Sequence, residues 1–125
     1  MTARLILTLG AVAAFLGVAL GAFGAHALRA RLTEQLLNTW ETAVQYHLVH
    51  ALGLLAVGLL LLQTGPSTLL RWSAGLMLAG MVLFSGSLYL LCLSGVRWLG
   101  AITPLGGTAL LTAWVLFALA VWRLN

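Results

Sequence analysis

The chain is dominated by four long apolar segments, which occupy residues 5–28, 43–62, 70–93 and 98–122. Each reaches about 20 residues, the length that a helix needs to cross a ~30 Å hydrocarbon core. Only 6% of the residues are charged, whereas a soluble domain carries about 25%. Because so few charges cannot cover a water-facing surface, the sequence predicts an integral membrane protein.

The apolar segments are predicted to be helices that pack as an antiparallel bundle. A segment in lipid has to satisfy its own backbone hydrogen bonds, and a helix does so. The connections at 64–68 and 94–97 are short, so neighbouring spans run in opposite directions. The sequence therefore predicts an all-α fold, an integral membrane four-helix up-down bundle that forms a single transmembrane domain over residues 1–125.

Residues 1–27 resemble a secretory signal peptide, since Arg4 precedes an apolar run that ends in an Ala-His-Ala site at 25–27. The run is about 20 residues, which is longer than the 7–15 residues of an ordinary signal-peptide core. We therefore expect this segment to be retained as the first span.

The segment 30–41 has a different pattern from the spans. Leu32, Leu36, Leu37 and Trp40 fall on one helical face, while charged and polar residues occupy the other. This pattern predicts a short amphipathic interfacial helix between spans 1 and 2. The alternative is a solvated helical extension of span 2.

Small residues line one face of the first span. Gly10, Ala14, Gly17 and Gly21 share this face, and the spacing of the last two is the Gly-x-x-x-Gly motif of closely packed membrane helices. Two interpretations are open: packing within the chain, and a face through which two copies of the chain dimerise.

Polar residues inside the spans gather in one half of the membrane, where polar side chains are costly and are functional candidates. We predict a polar intramembrane cluster of His26, Tyr46, His47, His50, Ser85, Ser87, Tyr89 and Thr103. Pro104, followed by Gly106 and Gly107, predicts a kink early in the fourth span. Ser85-Gly-Ser87 predicts a similar irregularity in the third.

The chemistry of the cluster is open at this point. His47 and His50 are three residues apart and are expected to share a helical face, with His26 approaching from the first span. Such a set is compatible with a metal, a haem or a proton relay, or with hydrogen bonds between helices. The chain lacks Asp and Lys and has one cysteine, Cys92. We therefore assign no catalytic residues, metal ligands or cofactor.

Four motifs together resemble the YgdD/YwdK-type family of small bacterial inner-membrane proteins of unknown function. They are Gly-Ala-Phe-Gly-Ala-His-Ala-Leu at 21–28, Tyr46 to His50, Leu-Phe-Ser-Gly-Ser-Leu-Tyr at 83–89 and Thr-Pro-Leu-Gly-Gly at 103–107. The resemblance covers nearly the whole chain. It implies four spans and cytoplasmic termini, and it supplies no activity, cofactor or catalytic residue.

Three functions are compatible with these features. The first is a non-enzymatic accessory or assembly protein that contacts the lipid bilayer, a second copy of the chain or another membrane protein. The second is a small transporter or channel that uses the polar cluster, and the third is a histidine-based cofactor or metal binder. The six arginines are scattered singly between the spans, as membrane anchors are, so we expect no binding to nucleic acid.

The expected location is the bacterial inner membrane. Arg4, Arg71 and Arg123 lie on one side of the membrane, and Arg29, Arg31 and Arg97 on the other. Because these charges balance, the free N-terminal amine tips the expectation toward cytoplasmic termini.

Overall fold

The chain forms four long helices in a computed structural model, which describes residues 1–124. The elements are α1 (Ala3–Phe23), continued by a π-helical turn (Gly24–Leu28), α2 (Glu34–Thr64), α3 (Thr68–Ser94), a 3-10 turn (Arg97–Ala101) and α4 (Thr103–Trp122). All four helices, with their flanking turns, are long and apolar enough to cross a membrane. The predicted all-α membrane bundle is confirmed.

The helix ends follow the local signals in the sequence. The Thr33 hydroxyl accepts a hydrogen bond from the Leu36 amide at 3.2 Å, and the Ser67 hydroxyl accepts one from the Leu70 amide at 3.3 Å. α2 and α3 end at Gly65 (φ 84°) and Gly95 (φ 73°), where a positive φ favours glycine. These short caps allow the antiparallel return of each helix.

Each long helix packs mainly against its neighbour in the chain. Within residues 1–124, the pairs of long helices in extensive contact are α1 with α2, α2 with α3, and α3 with α4. The largest fully buried apolar side chains include Ile6, Leu54, Leu70 and Met77. Because α1 has no extensive contact with α3 or α4, it lies at the edge of the bundle and leaves a gap beside it.

The small-residue face of α1 is covered by α2 of the same chain. A Cβ atom at Gly10 would lie 3.0 Å from Leu55 Cδ2, and one at Gly17 would lie 2.5 Å from Leu48 Cδ2. At Gly21 the nearest atom would be Val44 Cγ1 at 3.2 Å. The structure therefore supports packing within the chain, and this face is not available to a second copy.

The structure differs from the predicted interfacial helix. Residues 34–41 are helical and amphipathic, since Trp40 is buried and Glu34 and Glu41 are exposed. They form the first turns of a continuous α2 rather than a separate helix. The helical extension of span 2 is therefore the correct alternative.

The predicted irregularities in the third and fourth spans also differ. Pro104 does not kink a helix, because it occupies the first turn of α4, where a backbone N–H is not needed. The 3-10 turn before it accounts for the change of direction. α3 is continuous through Ser85 and Ser87, since glycine at position 86 is compatible with a helical backbone.

Candidate functional site

One part of the predicted cluster lies where α2 meets α1 and α3. The His47 Nδ1 atom and the Tyr89 hydroxyl are 2.8 Å apart, and the edge of the His47 ring lies against Gly17 of α1. Ser85 is fully buried and donates to the Ala43 carbonyl at 2.7 Å. These three polar side chains therefore tie α2 to α3 at the level where α1 crosses them.

The other part lies on the side of α2 and α3 that faces α4. The Trp114 indole N–H donates to His50 Nε2 at 3.0 Å, and His50 Nδ1 lies 2.6 Å from the Tyr46 carbonyl. Because a carbonyl only accepts, Nδ1 carries the proton and Nε2 accepts, which uses both nitrogens of a neutral ring. Ser87 and Thr103 join α3 to α4 through hydroxyls 2.7 Å apart.

The predicted cluster is thus divided between two faces of the bundle, and on the α4 side the Ser87–Thr103 and His50–Trp114 contacts are separated by about 16 Å along α4. His47 and His50 do not act on a common partner, since a separation of three residues still turns them about 60° apart on the helix. Tyr46 is partly exposed and stacks on Phe84 with ring centroids 4.4 Å apart. His26 is exposed in the π-helical turn, and no hydrogen bond within residues 1–124 joins it to either group.

The fully buried polar atoms of these residues are paired. In the part of the chain that the structure describes, no buried side-chain nitrogen or oxygen lacks a hydrogen-bond partner. Over the same residues, no three His, Cys, Asp or Glu side chains come together as a metal site. Four of the hydrogen bonds join helices: His47 with Tyr89, Ser85 with Ala43, Ser87 with Thr103, and Trp114 with His50.

A cleft lies between α1 and α3, in the gap that the edge position of α1 leaves. Its volume is about 340 Å³. Its floor is His47 of α2, with Ser85 and Tyr89 beside it, and its walls are apolar. The wall residues are Leu9, Val12, Ala13, Leu16, Leu78, Met81, Val82 and Gly86. We call this feature the α1–α3 cleft.

The cleft opens toward the surroundings of the bundle. Val12 and Val82, one on each wall, expose 50% and 61% of their surface. No Cβ atom is present at Gly86, and one built there would meet no atom within 4 Å. The mouth of the cleft is therefore apolar and open.

Two structural residues and the cleft were not predicted from the sequence. Trp40 and Trp114 are aromatic residues in apolar surroundings whose indole N–H groups reach acceptors on other helices. A tryptophan inside a span carries an N–H donor that needs an acceptor, so its presence in the sequence could have indicated a hydrogen bond between helices. The cleft leaves no such signal, because its walls have the same residue types as lipid-facing surface.

Comparisons with known proteins agree with the membrane fold. The profile of the family described as "Protein of unknown function (DUF423)" matches residues 20–107. The chain is 48% identical to the UPF0382 membrane protein YwdK of Bacillus subtilis, covering 94% of this chain and 95% of the relative. It is 39% identical to the UPF0382 membrane protein SH2409 of Staphylococcus haemolyticus, covering 96% and 97%. The predicted resemblance to YwdK-type proteins is confirmed.

The likeness extends to a third relative, the UPF0382 membrane protein SERP0230 of Staphylococcus epidermidis. It is 43% identical over 96% of this chain and 97% of the relative. No solved structure matches the chain.

Proposed function

We propose that this chain, which belongs to the DUF423 family of proteins of unknown function, is a non-enzymatic membrane protein that binds one acyl chain of a membrane lipid in the α1–α3 cleft. The observation that carries the proposal is the cleft itself, an apolar slot open to the side of a membrane bundle. Its volume of about 340 Å³ is at the lower end of the ~300–1,000 Å³ of ligand pockets.

The chemistry of the lining favours an apolar occupant. The His47 nitrogen and the Tyr89 hydroxyl that border the cleft already bind each other, and the Ser85 hydroxyl binds a backbone carbonyl. These groups leave no buried polar atom that requires a polar ligand. Acyl chains are the apolar molecules present at this depth of a bilayer.

Shape is expected to decide the affinity. Lipid tails are as apolar as the cleft walls, so leaving the bilayer gives an acyl chain no hydrophobic gain. Binding then depends on van der Waals contact with both walls at once, which an open helix face does not provide. A substitution that fills the slot should therefore abolish binding without altering the polar groups.

Gly86→Leu is the substitution that tests the proposal. A leucine at this position extends into the cleft from a point with no neighbouring atom within 4 Å, so the helices need not move. Forcing a ligand into occupied space costs ~1–3 kcal/mol, which corresponds to roughly 5- to 150-fold lower occupancy. The measurement is photo-crosslinking in proteoliposomes by a phospholipid with a diazirine in its acyl chain, mapped to peptides that contain Val12 and Val82.

Gly75→Leu is the matched control on the same helix. Gly75 does not line the cleft, and a Cβ atom there would meet only the end of the Met1 side chain at 3.7 Å. We expect labelling at Val12 and Val82 to be unchanged in this variant. Equal labelling of the wild type and Gly86→Leu would contradict the proposal.

An accessory role accompanies lipid binding in this proposal. A bound chain would fill the gap beside α1 and complete a surface that a second copy of the chain or another membrane protein can contact. The proposed location is the bacterial inner membrane with both termini in the cytoplasm. Three arginines lie on each side of the membrane, so they favour neither orientation. The positive charge of the N-terminal amine then favours a cytoplasmic N-terminus.

Reporter fusions test the orientation. With cytoplasmic termini, green fluorescent protein fused to the C-terminus should fluoresce, and alkaline phosphatase at the same position should be inactive. Alkaline phosphatase inserted in the loop between α1 and α2 should be active. The reverse pattern would show that the termini face outward.

A further inference from the structure

A second cavity lies between the start of α2 and the end of α3, at the end of the bundle where α2 begins. Its volume is about 910 Å³. Residues from the start of α2, the end of α3 and the 3-10 turn line it: Thr33, Gln35, Leu36, Thr39, Leu88, Leu91, Gly95 and Arg97. We call it the interfacial cavity. It shares no lining residue with the α1–α3 cleft.

The position of this cavity corresponds to the headgroup level of a bilayer. It lies where α2 starts at Glu34 and α3 ends at Ser94. The neighbouring Trp98 is 67% exposed, and tryptophan at the end of a span is typical of the membrane–water interface. We therefore expect the cavity to lie at the level of the lipid headgroups.

The charge of the lining favours an anion. Arg97 is the one charged residue in the lining, and neither of the two carboxylates of the chain, Glu34 and Glu41, belongs to it. A guanidinium offers five N–H donors in a planar fork that matches the oxygens of a phosphate. The Thr39 hydroxyl already donates to the Gln35 carbonyl, whereas the Thr33 hydroxyl and the Gln35 amide can still donate to a ligand. Arg97 is the one charged donor among them.

The apolar part of the lining distinguishes a lipid from a free anion. Leu36, Leu88 and Leu91 lie beside the polar residues in the same cavity. A phospholipid presents a phosphate joined to apolar chains, which matches both parts of the lining. Arg97 can contact the phosphate while the leucines contact the chains of the same molecule.

We propose that the interfacial cavity binds the phosphate of an anionic phospholipid headgroup through Arg97. This site is distinct from the acyl-chain cleft, because the two share no lining residue. It adds recognition of the headgroup class to a protein whose cleft recognises only an apolar chain.

The test compares two lipids that differ in headgroup charge. Purified protein is titrated in detergent with phosphatidylglycerol or phosphatidylcholine of identical acyl chains, and binding is followed by native mass spectrometry. We expect tighter binding of phosphatidylglycerol, and Arg97→Gln should weaken it by up to about five-fold, the upper end of the range for an ion pair of an exposed arginine. Arg97→Lys should retain most of the binding, and phosphatidylcholine binding should be unaffected.

Arg29→Gln is the control for general charge. Arg29 is exposed at the same end of the bundle and does not line the cavity. Replacing it with glutamine removes one positive charge, as Arg97→Gln does. An equal loss in Arg29→Gln and Arg97→Gln would overturn the proposal, because surface electrostatics would then explain the preference. If inorganic phosphate bound as tightly as the lipid and with the same dependence on Arg97, the ligand would be a free anion, and the proposal of a phospholipid would be wrong.

The same titration separates this site from the cleft. Gly86→Leu should keep its preference for phosphatidylglycerol, since position 86 is not in the interfacial cavity. If Gly86→Leu removed the preference for phosphatidylglycerol while Arg97→Gln did not, the proposal of a headgroup site at Arg97 would be wrong. The preference would then arise in the α1–α3 cleft.

Discussion

Replacing Trp40 with alanine is expected to lower the free energy of unfolding by about 3–5 kcal/mol, the range for truncation of a large buried aromatic residue. Trp40 is 1% exposed, and its ring lies 4.7 Å from that of Tyr89 and 6.1 Å from that of Phe23. Its indole N–H donates to the Leu20 carbonyl at 2.9 Å. One side chain on α2 therefore contacts both α1 and α3, and reversible unfolding in mixed micelles with increasing SDS measures its contribution.

Two further variants separate packing from hydrogen bonding at this position. Trp40→Phe keeps most of the ring volume and loses the hydrogen bond to Leu20, so a cost of about 1 kcal/mol is expected. Trp72→Ala removes a tryptophan that is 63% exposed and should leave stability within about 0.5 kcal/mol of the wild type. A loss in Trp72→Ala as large as that in Trp40→Ala would contradict the packing derived for α1, α2 and α3.

Replacing Gly106 with alanine is expected to separate α4 from α3. A Cβ atom at Gly106 would collide with the backbone N and Cα atoms of Phe84 and would lie 2.9 Å from the Gly80 carbonyl oxygen. Backbone atoms cannot rotate away as a flexible side chain can, so the helices must move apart. A cost of about 1–3 kcal/mol or more is typical of such overpacking, and it should also weaken the hydrogen bonds from Ser87 and Trp114 between the helices.

Gly107→Ala is the matched control, one residue further along the same helix. A Cβ atom there would meet only the Phe84 ring, at 3.8 Å, which is an ordinary contact. SDS-induced unfolding of the two variants should differ clearly, with Gly107→Ala close to the wild type. Similar unfolding of both would show that the close approach of α3 and α4 does not determine stability.

The sequence predicted well those features that depend on position along the chain. Span length and hydropathy located the four helices, and Gly65, Ser67 and Gly95 marked their ends, because these signals act locally. The depth of each polar residue also follows from its position along a span. That Tyr46, His50, Ser87 and Thr103 gather in one half of the membrane stays a prediction.

The rotation of each helix could not be predicted in the same way. Depth does not determine which neighbour a side chain faces, so His47 and His50 were placed together although they bind Tyr89 and Trp114 on different helices. The π-helical turn at Gly24–Leu28 similarly leaves His26 exposed. Pro104 is compatible with a kink or with a helix start, and the choice depends on the 3-10 turn before it.

The α1–α3 cleft is the feature least visible in the sequence and the one on which the proposed function rests. Leu, Val and Met residues line both a filled helix interface and an empty slot, so their pattern does not distinguish the two. The cleft exists because α1 packs on α2 through its glycine face and does not reach α3. The cleft is therefore a consequence of the close packing of α1 on α2.

Native mass spectrometry of the purified protein, released from a mild detergent, tests the central claim most directly. The wild type and Gly75→Leu should each carry one lipid molecule more than Gly86→Leu, because only the lipid in the α1–α3 cleft is displaced by the leucine. A wild type released as bare protein, or a Gly86→Leu variant that carries as many lipid molecules as the wild type, would contradict lipid binding in the α1–α3 cleft.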